Sequence, residues 1–357
     1  MTLRVLSVVG ARPQFVKAFP VSRALRPTHE EVLVHTGQHY DHELSEVFFE
    51  ELDLPRPTYN LGVGSDSHAV QTADVMTALD GTLDEEHPDV LLVYGDTNST
   101  LGAALVAAKR DVPLAHVEAG LRSFNRGMPE EINRVLTDHC ADFCFAPSDR
   151  AVETLAAEGI TSGVYRTGDV TYDALLAVRD RARERSTVVD QLGHEPGEYV
   201  LATVHRAANT DDHDRLSAIL DGLESAPLPV VFPAHPRTVN ALRAADRLDA
   251  ARRALDFVEP VGYLDFVALL AGAERVATDS GGVQKEAFYL DTPCLTLRDE
   301  TEWVETVACG WNVLVGADTD AIATALRRDF DRSEKPTPYG DGTSAETMVE
   351  ILAAELD

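Results

Sequence analysis

The sequence predicts an α/β protein of two domains, each built on a parallel sheet with helices packed against it. Three observations lead there. Short apolar runs alternate with longer helix-like stretches, the pattern of strand–helix–strand units. The alternation pauses at a charged segment, 181–193, and then starts again. Carboxylates stand just past the ends of the apolar runs, where open parallel sheets bind ligands. At 357 residues the chain can supply two cores.

In chain order, segments 4–9, 31–36, 90–94, 114–117, 142–146 and 164–166 read as the strands of a first domain. Each is short and apolar, and polar or turn-forming residues bound most of them. Between 90–94 and 114–117 the stretch 101–110 reads as a helix, which makes a βαβ unit. Asp96 and Glu118 fall at the carboxyl ends of its strands, and Glu130 lies just beyond. Carboxylates crowded into one cleft repel, so some hold their protons more tightly and an acid and a base can coexist. Segment 181–193 is charged, weakly periodic and closed by Gly193, and is expected to be a linker. Strands are expected again at 199–204, 230–233, 257–258, 275–278 and 293–297. A Pro- and Gly-rich loop at 335–344 then leads to a helix at 345–356, expected to pack back on the first domain. The expected division is 1–180, 190–342 and 343–357.

Composition limits the partners. The chain has 60 Asp+Glu against 31 Lys+Arg, a formal net charge of −29. Its lysines are Lys17, Lys109, Lys285 and Lys335. Such a surface repels nucleic acid and anionic membranes. It looks like the proteins of extreme halophiles, where concentrated salt screens self-repulsion. No apolar run reaches the length of a membrane span. The first ten residues read as a buried strand and lack a signal-peptide cleavage site, so a cytoplasmic protein is expected. There, Cys140, Cys144, Cys294 and Cys309 are read as buried small residues, neither disulfides nor a zinc set.

The motifs point to anion binding and proton transfer. Gly10 follows the first strand, and Pro13 suits the helix start after it. Arg12 and Lys17 add cations near a helix end that already favours anions, which suits a phosphate or carboxylate. Without a GxGxxG pattern, a nicotinamide site is not expected. Ser280, Gly281 and Gly282 form a second such turn, with Glu286 one helical turn further on, placed for a ribose diol. His205 and His235 end two strands of the second domain and would face the cleft, where a histidine can pair with phosphate or move protons. His35, His39 and His42, with Asp41, look superficially like metal ligands. Gly37 breaks the stretch, and no metal site is expected.

Together these motifs resemble the non-hydrolysing UDP-N-acetylglucosamine 2-epimerases. The similarity runs from Arg4 to about Gly316. It rests on GARPQFVK (10–17), HTGQH (35–39), GDTNST (95–100), HVEAGLRS (116–123), MPEEINR (128–134), HRAANTD (205–211), PVGYLDF (260–266), DSGGVQKEA (279–287) and LRDETE (297–302). The resemblance implies GT-B architecture: two Rossmann-like domains facing across a cleft, with UDP held mainly by the C-terminal one. It implies interconversion of UDP-GlcNAc and UDP-ManNAc through elimination of UDP, a 2-acetamidoglucal, and re-addition after protonation on the other face. No metal or nicotinamide is required. Carried over motif by motif, Asp96, Glu118 and Glu130 become acid/base candidates, and His205 assists UDP departure. Arg12 and Lys17 contact the substrate, and Phe266 the uracil region. Ser280, Gly281, Gly282 and Glu286 hold the diphosphate and ribose. His235 and Arg298 join the substrate-binding set. Gln38 and His39 mark where bacterial members take a second, activating UDP-GlcNAc. A homodimer is expected from the resemblance alone.

Three departures bear on the sugar. Ala208 stands where the family often has Glu, Trp303 where many members have Arg, and GARPQF replaces the commoner GTRPE. These variants look like the branch acting on UDP-2,3-diacetamido-2,3-dideoxyglucuronate, made for surface polysaccharides. A GT-B glycosyltransferase would share the fold and UDP site but would not need three clustered carboxylates. A hydrolysing epimerase would release free ManNAc and UDP. A sugar-nucleotide sensor would bind without exchanging the C2 proton.

Overall fold

The apolar runs of the first half hydrogen-bond side by side into one parallel sheet. The computed structural model describes residues 1–37, 55–332 and 335–356. Strands β1 (Arg4–Val9), β2 (Glu30–His35), β3 (Tyr59–Asn60), β4 (Val90–Tyr94), β5 (Leu114–Val117), β6 (Phe143–Ala146) and β7 (Val164–Arg166) lie in the order β3-β2-β1-β4-β5-β6-β7. Leu6 of β1 pairs with Val32 on one side and Leu91 on the other. Helices cover the sheet, which is why the strands read as continuous apolar runs. Leu6, Val8, Val34, Leu91 and Val93 pack on Leu79, Leu83, Ala103 and Ala107 from the helices His68–Glu86 and Asn98–Arg110. Each fully buried Leu or Val contributes roughly 1.5–3 kcal/mol. Gly102 lets the two helices approach, since a Cβ there would lie 2.9 Å from Val75 Cγ1.

The second set of strands is β8 (Val200–Thr203), β9 (Val230–Pro233), β10 (Asp256–Val258), β11 (Arg275–Thr278), β12 (Cys294–Thr296) and β13 (Asn312–Leu314). They form another parallel sheet, ordered β10-β9-β8-β11-β12-β13. Its core joins Val200, Ala202, Val230, Phe232 and Leu295 to Leu216, Ile219, Leu220 and Leu223 of the helix His213–Glu224.

By contacts the chain divides into two units, Met1–Ala174 with Thr337–Asp357, and Leu175–Pro336. The linker expected at 181–193 is not one. The helix Val170–Arg185 runs into it, and a short helix, Val188–Gln191, follows. No Pro or Gly interrupts 170–185, its Ala, Leu, Arg and Glu residues are strong helix formers, and Val170, Ala174, Leu175, Val178 and Ala182 form its buried face. The helix Ser344–Glu355 packs on the helix Arg12–Leu25 within the first unit, and Asp173 Oδ2 accepts the N–H of Ala345 at 2.7 Å.

The cysteines are free thiols. Cys144 and Cys294 are buried, as read, and burial pushes both thiols up to about 12. Cys140 and Cys309 are only half-buried, which corrects the reading of all four as core residues. Among the described residues no helix is long and apolar enough to cross a membrane, and no cluster of metal-ligating side chains is present.

Candidate active site

In each sheet the strand order reverses once, between β1 and β4 in the first and between β8 and β11 in the second. Loops leaving such a switch point diverge and open a crevice at the carboxyl ends of the strands. Asp96, Glu118, His205, His235 and Ser280 stand just past these ends.

In the first unit β1 ends at Gly10. Its hydrogens fit where a Cβ would lie 2.2 Å from Ser99 Oγ and 2.3 Å from Thr36 Oγ1. Gln14, fully buried, fixes the turn: its Oε1 accepts the N–H groups of Gly10 (2.8 Å) and Ala11 (3.0 Å). Its Nε2 donates to the Tyr94 carbonyl at 2.8 Å, tying β1 to β4. Arg12 opens the helix Arg12–Leu25. One turn on, Lys17 Nζ donates to Glu118 Oε2. Burial works against the Lys17 charge, but Glu118, then Asp96 and Asp169, outweigh it and the ammonium pKa is raised.

Asp96 follows β4 and Gly95, and its carboxylate pairs with Arg134. Burial raises the Asp96 carboxyl pKa. Arg134 opposes that rise, Glu118 adds to it and Lys17 opposes it. Asn133 Nδ2 holds the Asp96 carbonyl at 2.9 Å. Glu118 ends β5 with φ +76°, a left-handed conformation that costs a non-glycine residue roughly 1–2 kcal/mol. Its N–H and that of Ala119 both point at the Phe145 carbonyl, at 3.1 Å each. Glu130 lies in the first turn of the helix Pro129–Cys140, half-buried, and makes no hydrogen bond or ion pair among the described residues. The structure therefore joins Glu118 to Lys17 and Asp96 to Arg134, and among the described residues links Glu130 to neither pair by a contact. The neighbouring Glu131 has a different task. It accepts from the N–H and hydroxyl of Ser123 (both 2.9 Å) and the N–H of Phe124 (2.8 Å), and so folds the loop before its own helix.

In the second unit Ser280 caps the helix Gly281–Tyr289, its hydroxyl accepting from Val283 N–H. A Cβ at Gly281 would lie 2.2 Å from Glu302 Oε1, so any larger residue would displace that carboxylate. Glu302 pairs with Arg298 at 2.9 Å, and Trp303 Nε1 donates to the Gly281 carbonyl at 2.7 Å. Gly282 is exposed. Glu286 is half-buried and accepts from Tyr263 Oη at 2.9 Å. Burial pushes its carboxyl up, and the Tyr263 hydroxyl counteracts this in part. Phe266 lies on the same helix as Tyr263, Tyr263–Gly272. His205, just past β8, has Nδ1 3.4 Å from Asp279 Oδ1. The ring of His235, past β9, lies 5.8 Å from the His205 ring between centroids. Asp279 is fully buried and accepts the N–H groups of His205 and Arg206 and Nδ2 of Asn209.

Arg134, Asp279 and Tyr263 sit in the quoted motifs, yet sequence reasoning gave them no role. Their charge or hydroxyl was visible, but the partner was not. Gln38, His39, Asp41 and His42 lie outside the described residues. His35 stacks on Phe15, with centroids 5.2 Å apart.

The family model for UDP-N-acetylglucosamine 2-epimerase matches residues 23–353. The chain belongs to the UDP-N-acetylglucosamine 2-epimerase family. Among its relatives, a UDP-N-acetylglucosamine 2-epimerase homolog of Methanococcus maripaludis is 46% identical over 98% of this chain and 99% of the relative. The UDP-2,3-diacetamido-2,3-dideoxy-D-glucuronate 2-epimerase of Pseudomonas aeruginosa is 44% identical over 98% and 99%. The solved structure of UDP-GlcNAc 2-epimerase from Methanocaldococcus jannaschii superposes with TM-score 0.91 at 40% identity, covering 99% of this chain and 100% of that one. A second structure of that epimerase, in complex with UDP-GlcNAc and UDP, superposes with TM-score 0.75 at 41% identity, over 99% and 100%. The epimerase family thus supplies the setting in which these side chains act.

Proposed function

We propose that this epimerase interconverts UDP-GlcNAc and UDP-ManNAc by eliminating and re-adding UDP. One observation carries the reading: Asp96 and Glu118 follow the neighbouring strands β4 and β5, each with its own cation, Arg134 for Asp96 and Lys17 for Glu118. Epimerisation at C2 takes a proton from one face and returns one to the other. In the reverse direction the two groups exchange roles, so two carboxylates in different environments suit the task. Glu118, held against Lys17, serves as the base for one face. Asp96, whose carboxyl burial pushes up, serves as the acid for the other. Glu130 is the reserve candidate for either role. The C2–H electron pair becomes the C1=C2 bond while the C1–O bond breaks toward the diphosphate. The 2-acetamidoglucal is then protonated at C2 from the opposite face as the UDP oxygen re-adds to C1. No group beyond these side chains is needed for the balance.

In this reading the turn Ser280-Gly281-Gly282, with His205 and Arg298, takes the diphosphate, and His205 stabilises its charge on departure. Glu286, oriented by Tyr263, takes the ribose and Phe266 the base end, while His235, beside His205, joins the substrate-binding set. Arg12 and Lys17 touch the substrate. Gln38 and His39 belong to an activating site for a second UDP-GlcNAc.

A second reading is favoured by Ala208, Trp303 and the relative from Pseudomonas: 2-epimerisation of UDP-2,3-diacetamido-2,3-dideoxyglucuronate for a surface polysaccharide. Separate incubation with each sugar nucleotide, followed by proton NMR, decides. UDP-ManNAc from UDP-GlcNAc supports the first reading, and turnover of the glucuronate alone supports the second. Turnover of neither by protein that binds UDP would sink both.

A homodimer is supported by an uncovered apolar stripe. Ile132 and Leu136 on the helix Pro129–Cys140, with Met128 just before it and Phe124 in the preceding loop, are all exposed. Free thiols fit a reducing cytoplasm. The net charge of −29 with four lysines fits a halophilic source.

A further inference from the structure

Beneath the carboxylates of the first unit lies a buried chain of charged groups that the proposed chemistry does not use. His116, on β5, is fully buried. Its Nδ1 is 2.7 Å from Asp138 Oδ1 and its Nε2 is 2.7 Å from the Gly95 carbonyl. Asp138 Oδ2 accepts the N–H of Gly120 at 3.1 Å and pairs with Arg122 at 2.7 Å. Arg122 in turn grips Glu158 with two bonds, of 2.9 and 2.7 Å. The side chains of His116, Asp138 and Arg122 are at most 1% exposed.

The two ends of this chain fall beside the proposed acid and base. Gly95 precedes Asp96, and Gly120 lies two residues after Glu118. Gly95, Glu118 and Gly120 all have left-handed backbone, with φ of +61°, +76° and +81°. For Glu118, which unlike the two glycines is strained by it, this conformation persists only where the surroundings over-determine it. Stability alone does not account for the chain, because buried ion pairs often stabilise no more than the apolar groups that could replace them. We propose that His116 and Asp138 are positioning residues: together they hold Gly95 and Gly120, and so fix where Asp96 and Glu118 point. The proposal rests on the reading of Asp96 and Glu118 as the proton-transfer pair.

The test compares Asp138→Ala and Asp138→Asn with Asp96→Asn and Glu118→Gln. It measures kcat and KM for UDP-GlcNAc, UDP affinity and thermal unfolding. Asp138→Ala should lower kcat on the order of 100-fold, as expected when reacting groups are misplaced by about an ångström, with KM and UDP affinity little changed. Asp138→Asn keeps the shape and lets a neutral His116 still donate through Nε2 to Gly95, so it should recover much of that loss. A purely structural role would lower the unfolding temperature without this ordering. If Asp138→Ala does not fold, Arg122→Met, which removes the cation paired with Asp138 Oδ2, should show the same split at smaller size. Folded Asp138 variants with wild-type kcat would overturn the proposal, as would equal losses in kcat and UDP binding. If Asp96→Asn and Glu118→Gln also kept turnover, the proton-transfer reading itself would fall. If they lost turnover while the Asp138 variants kept it, the positioning claim alone would fall.

Discussion

Lys17, one turn into the helix after β1, donates a hydrogen bond to Glu118 at the end of β5, a residue 101 positions away. The same ammonium is drawn by Asp96 and Asp169. One cation therefore balances several acids, and its removal should be felt by those that remain.

We expect Lys17→Met to move the alkaline limb of the kcat/KM–pH profile for UDP-GlcNAc, which reports the acid Asp96, upward. The Asp96 carboxyl already sits above its ordinary value through burial, and Lys17 is one of the groups holding it down. Without Lys17, Asp96 keeps its proton to higher pH. An alkaline limb that stays in place or moves downward would contradict this coupling.

Glu131 and Asp138 should set the acid limit of stability. Burial opposes ionisation of both. It is outweighed at Glu131 by the bonds from Ser123 and Phe124, and at Asp138 by His116 and Arg122, so both carboxyl pKa values are lowered. A depressed folded-state pKa gives stability that is present above the unfolded value of about 4 and lost as pH falls through the folded one. We expect Glu131→Gln to be less stable at neutral pH and to lose less on acidification. Urea midpoints measured from neutral pH down through the carboxylate range check this. Parallel curves for variant and wild type would refute it.

Gly120 and Gly159 separate backbone strain from steric conflict. Both have positive φ, +81° and +86°. A Cβ at Gly120 would meet the Ala151 carbonyl oxygen at 2.4 Å, whereas one at Gly159 meets nothing within 4 Å. We expect Gly159→Ala to cost about 1 kcal/mol and Gly120→Ala roughly 2 kcal/mol more. Only Gly120→Ala should also reduce turnover, because it lies two residues past Glu118. Equal costs at the two sites would show that the loop yields.

Salt should govern stability. With a formal charge of −29, self-repulsion is long-ranged in dilute buffer and is screened to about 3 Å at 1 M salt. We expect the unfolding temperature to rise steeply with KCl and the fold to loosen in dilute buffer. Cooperative unfolding and full activity in dilute buffer would count against a halophilic adaptation.

The two parallel sheets were legible because their central strands are covered on both faces and so read as unbroken apolar runs, as in Val90–Tyr94. The short strands Tyr59–Asn60 and Asn312–Leu314 left no such signal, being two or three residues long and partly exposed. The helix through Arg185 continues past the expected boundary because its last turn, 181–185, is charged apart from Ala182, while the apolar face of Ala174, Leu175 and Val178 lies upstream. At the candidate site, Asp96 and Glu118 announced themselves as acids following apolar runs. Their surroundings did not. Arg134 meets Asp96 across 38 residues, Tyr263 meets Glu286 across 23, and Asp279 holds His205 across 74. Such pairings are made by the sheet order, which no local pattern encodes.

The central claim is that the Asp96 and Glu118 carboxylates move the C2 proton. The most direct measurement is proton NMR of UDP-GlcNAc incubated in D₂O and concentrated KCl with the wild-type protein, Asp96→Asn and Glu118→Gln. The wild type should place deuterium at C2 as UDP-ManNAc forms. Each variant should lose that exchange by on the order of 100-fold or more while still binding UDP. Interconversion without deuterium at C2, or exchange undiminished in both variants, would contradict the account.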